Sequence, residues 1–133
     1  MASAVYPKGI ITIMSGGINL AALDIKAILL DTAVYTYNAA HDFYDDLSGQ
    51  VATETGVLAS KTIGVVGTGV FDGANGTVTA ATGTHAEAIA VFVDRGGAAT
   101  ADDLLSYNEL TAPVTPNGGD ITIQYHASGI FSL

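Results

Sequence analysis

The chain has 133 residues, 4 Lys and Arg against 13 Asp and Glu, and a formal net charge of −9. That length suits one domain burying about two-thirds of its unfolded surface, and the lack of cysteine excludes disulfides and thiolate chemistry. Nucleic-acid binding draws on Lys and Arg against phosphate; here Lys8, Lys26, Lys61 and Arg95 are scattered with no basic stripe, which argues against such a partner.

Residues 1–20 read as an N-terminal arm or short helix. Pro7 suits a first helical turn, Ile11-Thr12-Ile13 suits a strand, and Gly16-Gly17 ends the segment. Such an arm suits docking on a neighbouring subunit. Asp24–Asp31 predicts a strand, with Ile25, Ala27 and Leu29 on one face and Lys26, Ile28 and Leu30 on the other. Tyr35-Thr36-Tyr37 alternates as a short strand or extended edge. In Ala40–Gly49, Asp42 is placed to cap one helical turn that Gly49 stops, with Phe43 and Leu47 four apart on one face. Val51–Val66 reads as a long, threonine-rich strand, after which Gly64, Gly67 and Gly69 suggest a bend or bulge. Val70-Phe71-Asp72 runs into a turn dense in Gly and Asn. Thr77–Ala80 predicts a short strand with Val78 and Ala80 on its apolar side.

Ala86–Asp94 is the organising stretch. It has no polar side chain between Glu87 and Asp94, and Ile89, Val91 and Val93 are β-branched, which favours a pleated surface. We read it as a strand buried on both faces, Ala88, Ala90 and Phe92 on one and Ile89, Val91 and Val93 on the other. A buried helical turn is the alternative, because short apolar runs are ambiguous by period. Asp102–Tyr107 predicts a further strand. Ala112–Gly119, with Pro113, Pro116 and Asn117-Gly118-Gly119, predicts a loop and tight turn. Asp120–His126 alternates as a strand with one wet face, and Ile130-Phe131 suits a plug for the core or edge. Turn signals recur about every eight to twelve residues and nothing resembles a long helix. The expectation is an all-β fold: an antiparallel β-sandwich or jelly-roll-like barrel of about eight or nine strands. It forms a single domain over 1–133 with a short N-terminal helix or arm.

No window approaches the roughly 18 apolar residues that cross a bilayer, and the opening residues lack the basic-then-apolar pattern of a secretion signal. The lack of cysteine fits assembly in a reducing cytoplasm, and no membrane partner is expected. Catalytic patterns are weak. His41 with Asp42, Asp45 and Asp46 has the donors for a cation, but matches neither a calcium loop nor His-Glu-x-x-His, and reads as a solvated loop. His41, His85 and His126 would have to converge to hold zinc. Glu87 and Asp94 lie about 23 Å apart along one strand, too far for paired-carboxylate hydrolysis. Ser128, in Ala-Ser-Gly, lacks the glycine two residues before the serine that a nucleophile elbow needs. Gly67-Thr68-Gly69 is half a dinucleotide signature, and Asn75-Gly76-Thr77 is a glycosylation acceptor only in a secreted chain. No catalytic residue, cofactor or metal is expected.

Charge is the informative number. Charged residues make up 13% of the chain, against about 25% in typical soluble domains, and mean hydropathy is +0.42. Large uncharged surfaces mark interfaces, so much of the outside is expected to be covered by other subunits. Tyrosine suits such a surface because it pairs apolar area with a polar tip. Tyr6, Tyr35, Tyr37 and Tyr44 are therefore interface candidates, with Ile10 and Ile11 of the arm and Phe43 of the acidic loop. Ordinary core or rim tyrosine is an equally open reading.

Three blocks of sequence carry a resemblance. The first is Ile25–Asp31 with Tyr35-Thr36-Tyr37, Ala40-His41-Asp42-Phe43 and Asp46-Leu47. The second is Ala86–Asp94. The third is Pro116–Tyr125 with Gly129-Ile130-Phe131. In this order they resemble small tailed-bacteriophage virion proteins, with departures near Ile10–Met14. The resemblance implies a structural role in the virion. A cement or decoration protein on the capsid exterior is expected, clamping the major capsid protein as a homo-oligomer, by preference a trimer. Net −9 favours the outer surface over the one facing DNA. The alternative is a neck, tail or baseplate component forming rings. A carbohydrate-binding adhesin module is a third reading, weakened by the absence of Trp.

Overall fold

In the computed structural model, which describes residues 4–64, 69–125 and 129–132, Ala86–Asp94 is the middle strand of a five-stranded antiparallel sheet. In chain order the elements are β1 (Ala4–Val5), α1 (Pro7–Met14), β2 (Asp24–Leu30), β3 (Gln50–Val51), β4 (Thr62–Ile63) and β5 (Val70–Asp72). They continue with β6 (Gly76–Val78), β7 (Ala86–Asp94), β8 (Leu104–Val114), β9 (Ile121–Ile123) and β10 (Phe131–Ser132). Single 3₁₀ turns form at Tyr44–Asp46 and Ala99–Ala101. The main sheet has the order β1-β8-β7-β2-β3. Two small sheets accompany it, β10-β5-β4 and β6-β9, and no closed barrel forms among the described residues.

Both faces of β7 are dry. Ile89, Val91 and Val93 join Ile25, Ala27 and Leu29 of β2 in one cluster. Phe71, Val78, Ile123, Ile130 and Phe131 from the small sheets and the chain's end, with Ile18 and Leu20, complete it. Ala88, Ala90 and Phe92 face the other way and meet Ile28, Leu30, Leu104, Tyr6, Tyr35, Tyr107 and Leu47. The two faces expected for Ala86–Asp94 are thus the ones observed, and β2 pairs with it without a break from Asp24↔Asp94 to Leu30↔Ala88. Each large side chain fully withdrawn from water here stabilises the fold by about 1.5–3 kcal/mol.

The N-terminal segment is a helix despite its β-branched residues. Pro7 opens it, and a Schellman-type end closes it: Gly17 N donates to Thr12 O and Gly16 N to Ile13 O, with Gly16 at φ +86°. Gly9 lets the helix lie directly on β8, where an added Cβ would collide with the Leu104 carbonyl oxygen. Ile10 and Ile13 pack against the core at the same junction.

Four expected boundaries are corrected, the simplest being Asp120–His126, which is a strand only over Ile121–Ile123 among the described residues. Val51–Val66 is not one strand, because Ala52 (φ +62°) and Ser60 (φ +52°) take left-handed backbone that breaks the pleat. The stretch still follows the open edge of β2: Thr55 N donates to Ala27 O, Leu58 N to Ile25 O, and the Thr55 hydroxyl accepts from Ala27 N. The strand expected to stop at Tyr107 continues to Val114, through Pro113. Its register with β7 jumps from Ala88↔Glu109 to Ala86↔Val114, opening a bulge where proline's missing N–H is tolerated. The strand expected over Thr77–Ala80 ends at Val78, because Ala80 sits at φ +48° with its N–H on the Asp120 carboxylate.

Val91→Asp is expected to abolish soluble folding, since it buries a charge with no partner on a face sealed from water; soluble yield and circular dichroism check it. Gly9→Ala should destabilise by about 1–3 kcal/mol, read as a lowered denaturant midpoint with an unchanged slope.

Candidate interface and the tyrosine layer

The segment Asp31–Leu47 leaves β2, crosses the Ala88-Ala90-Phe92 face and seals it. Asp31 begins the crossing: its carboxylate accepts from Ala33 N, and its carbonyl accepts from Val34 N and Tyr35 N. That bend sends the Tyr35 ring inward. The Tyr35 hydroxyl shares a 2.8 Å hydrogen bond with the Tyr6 hydroxyl and lies 2.9 Å from His41 Nδ1. Tyr37 donates to Val5 O at 2.7 Å, and its ring lies 5.1 Å from Tyr6 and 5.6 Å from Tyr107. Small residues on β7 make the room, as the alternation of Ala88 and Ala90 suggests. Tyr44 stacks obliquely on Phe92 at 4.6 Å, closing the layer at its far end.

Burial raises the phenol pKa of Tyr6 and Tyr35, and in Tyr6 the hydrogen bond shared with Tyr35 adds to the rise. Tyr44 is pushed up to about 12, again by burial first. These groups stay neutral, and Tyr6 and Tyr35 act as hydrogen-bonding struts.

The seven interface candidates separate. Tyr6 and Tyr35 are 0% and 2% exposed, so their side chains belong to the chain's own core and offer no surface. The physical reason is their mutual hydroxyl bond, which satisfies both polar tips in the dry layer. Tyr37, Tyr44 and Phe43 are half-buried around them, Phe43 bridging to Asp103. Ile10 is half-buried against the core. Ile11 alone of the seven is well exposed, at 55%. Sequence reasoning missed its neighbour Met14, 72% exposed and three residues on, hence on the same side of α1. Val34, Val57 and Ile63 are further exposed apolar side chains. The signal for Met14 was present in the helical reading of the arm but not in the strand reading.

The acidic loop folds on itself. Asp46 accepts from Asp42 N and Phe43 N, which caps the 3₁₀ turn from within and draws the Asp46 carboxyl below its usual range. Asp42 is raised, by burial and by the neighbouring Asp46. The cap therefore comes from Asp46 reaching back, not from Asp42 as expected. His126, Ser128, Gly67 and Thr68 lie outside the described residues.

Three of the four basic side chains are engaged by partners within the chain. Lys26 Nζ is 2.6 Å from Asp94 and 3.4 Å from Glu54. Arg95 holds Asp103 through two nitrogens, at 2.7 and 3.0 Å, and donates to Gly17 O. Lys61 donates to Leu23 O. No protein-family model matches the chain, and no curated protein matches it.

The Lys26–Asp94 pair joins β2 to the end of β7. The hydrogen bond that Lys26 donates to the Asp94 carboxylate lowers the Asp94 pKa and raises that of Lys26. A lowered carboxyl stabilises the folded state above its unfolded value of about 4, and the contribution is lost as pH falls through the lower native value. Asp94→Asn should therefore reduce stability near neutrality and flatten the acid limb of a stability-versus-pH curve. Chemical denaturation across that range checks it.

Proposed function

We propose that this chain is a structural protein of a tailed-bacteriophage virion, most specifically a cement protein on the capsid exterior. It would bind the major capsid protein and brace neighbouring subunits, as a trimer in keeping with closed cyclic assembly. The observation that carries the reading is a surface poor in charge that still shows large apolar side chains, Ile11 and Met14 on α1 above all. Isolated exposed hydrophobics are ordinary; here they fall on a chain with 13% charged residues, three of whose four cations are engaged internally. The residual negative field supports a seat away from packaged DNA. The five-stranded sheet with small sheets over one face suits a compact, sandwich-like clamp. No catalytic grouping enters the reading, which treats the chain as a non-enzyme.

Quantitative mass spectrometry of purified particles tests the assignment. Copies on the order of hundreds per particle fit a capsid-wide cement. About six or twelve copies, as closed rings require, would move the protein to the neck, tail or baseplate. Absence from particles would overturn the virion role, and specific glycan binding would favour the adhesin reading. Ile11→Asp should abolish binding to capsid shells in co-sedimentation while leaving the melting temperature of the free protein within a few degrees. Unchanged shell binding would remove α1 from the interface.

A further inference from the structure

At the opposite end of β7 from the Lys26–Asp94 pair, three side chains from two separated stretches converge. Asp31 follows β2, His85 precedes β7 and Glu87 is its second residue. Their ligand atoms all lie within 4.8 Å of one another, and His85 Nε2 is 3.5 Å from Glu87 Oε1. The β2–β7 register brings them together: Leu30 faces Ala88, and one further step sets Asp31 beside Glu87.

The local electrostatics are unbalanced. Asp31 is 7% exposed, yet among the described residues neither it nor Glu87 pairs with Lys or Arg. Asp31 uses one oxygen on Ala33 N and has the Thr84 hydroxyl 3.4 Å from the other. Glu87 Oε1 accepts from the Thr32 hydroxyl at 3.1 Å. Glu87 Oε2 is buried with no hydrogen-bond partner among the described residues. An orphaned carboxylate oxygen beside a second carboxylate is unfavourable unless a cation neutralises it.

We propose that Asp31, His85 and Glu87 bind a divalent first-row transition ion, with Zn²⁺ the best match. One imidazole and two carboxylates form a donor set such ions accept, and the imidazole disfavours Ca²⁺, which takes six or more oxygens. A tetrahedral ion with bonds of about 2.0–2.2 Å holds its donors roughly 3.4 Å apart, so the three groups must draw inward by about 1 Å. His85 has freedom for that movement, its side chain being 56% exposed. Glu87 and Thr32 also line a recess of about 390 Å³ with Tyr35, Tyr37 and Tyr107. The ion clasps the end of β2 to the start of β7 and anchors the loop before it, and its remaining position is open to water.

Chelator-treated full-length protein, titrated with ZnCl₂ by calorimetry and followed by thermal melting, tests the site. One equivalent of Zn²⁺ and a raised melting temperature are expected, with Mn²⁺ weaker. His85→Ala alters only an exposed side chain, so its circular dichroism should match the parent while Zn²⁺ affinity falls at least about tenfold. Glu87→Gln, which keeps the shape and one acceptor oxygen, should weaken binding similarly. Absence of both heat and melting shift in the parent overturns the proposal, as does equal Zn²⁺ affinity in the parent and His85→Ala. A calcium response equal in both proteins and larger than that of zinc also overturns it. These readouts use no capsid, so their failure leaves the virion role to its own test.

Discussion

The structure depends on one constraint: β7 is dry on both faces. A strand with no polar side chain from Ala88 to Val93 cannot border water on either side, so the chain must supply two different covers. It builds one from small sheets and its own last residues, bringing Phe71, Val78, Ile123, Ile130 and Phe131 over Ile89, Val91 and Val93. It builds the other from a single irregular crossing, Asp31–Leu47, backed by Tyr6. The first cover is aliphatic and aromatic carbon. The second must carry polar atoms, because an irregular segment brings tyrosine hydroxyls and backbone groups into a dry layer. The chain of hydroxyls from Tyr6 through Tyr35 to His41 resolves this by letting the polar tips satisfy one another.

Charge follows the same logic. Acidic groups gather at the ends of β7 and its neighbours, where strands emerge from the core. At one end Lys26 and Arg95 answer them, tying Asp94, Glu54 and Asp103 into the framework. At the other end Asp31 and Glu87 have only His85 beside them. That asymmetry is what singles out the second end as a place for an external cation. The basic side chains engaged in these internal contacts have acidic or carbonyl partners within the chain, while Lys8 stays exposed on α1 beside the apolar Ile11 and Met14. The proposed docking on other virion subunits and the proposed metal clasp draw on different parts of the molecule.

Much of the site was only half legible in advance. Tyr6 and Tyr35 carry the composition of an interface, and nothing in their local sequence reveals that they meet across 29 positions and bury each other. His41, ranked with Asp42, Asp45 and Asp46 as a polar group, spends its Nδ1 on that pair instead. The Asp31, His85 and Glu87 grouping escapes a linear reading because 54 residues separate its first two members. Only the β2–β7 register joins them.

By itself the sequence determined the central strand and its two faces, a second apolar strand over Asp24–Asp31, the helix-competent arm opened by Pro7, and the deficit of charge. Those follow from side-chain period and composition, which act locally. The tertiary structure decided which tyrosines are core and which are rim, where Val51–Val66 breaks and how far Leu104–Val114 extends. It also decided that an open five-stranded sheet, not a closed barrel, forms among the described residues. These outcomes depend on left-handed residues such as Ala52 and Ser60, on the jump in register beside Pro113, and on hydroxyls meeting across the sheet. Each is settled by long-range packing, which the order of residues along the chain does not encode locally.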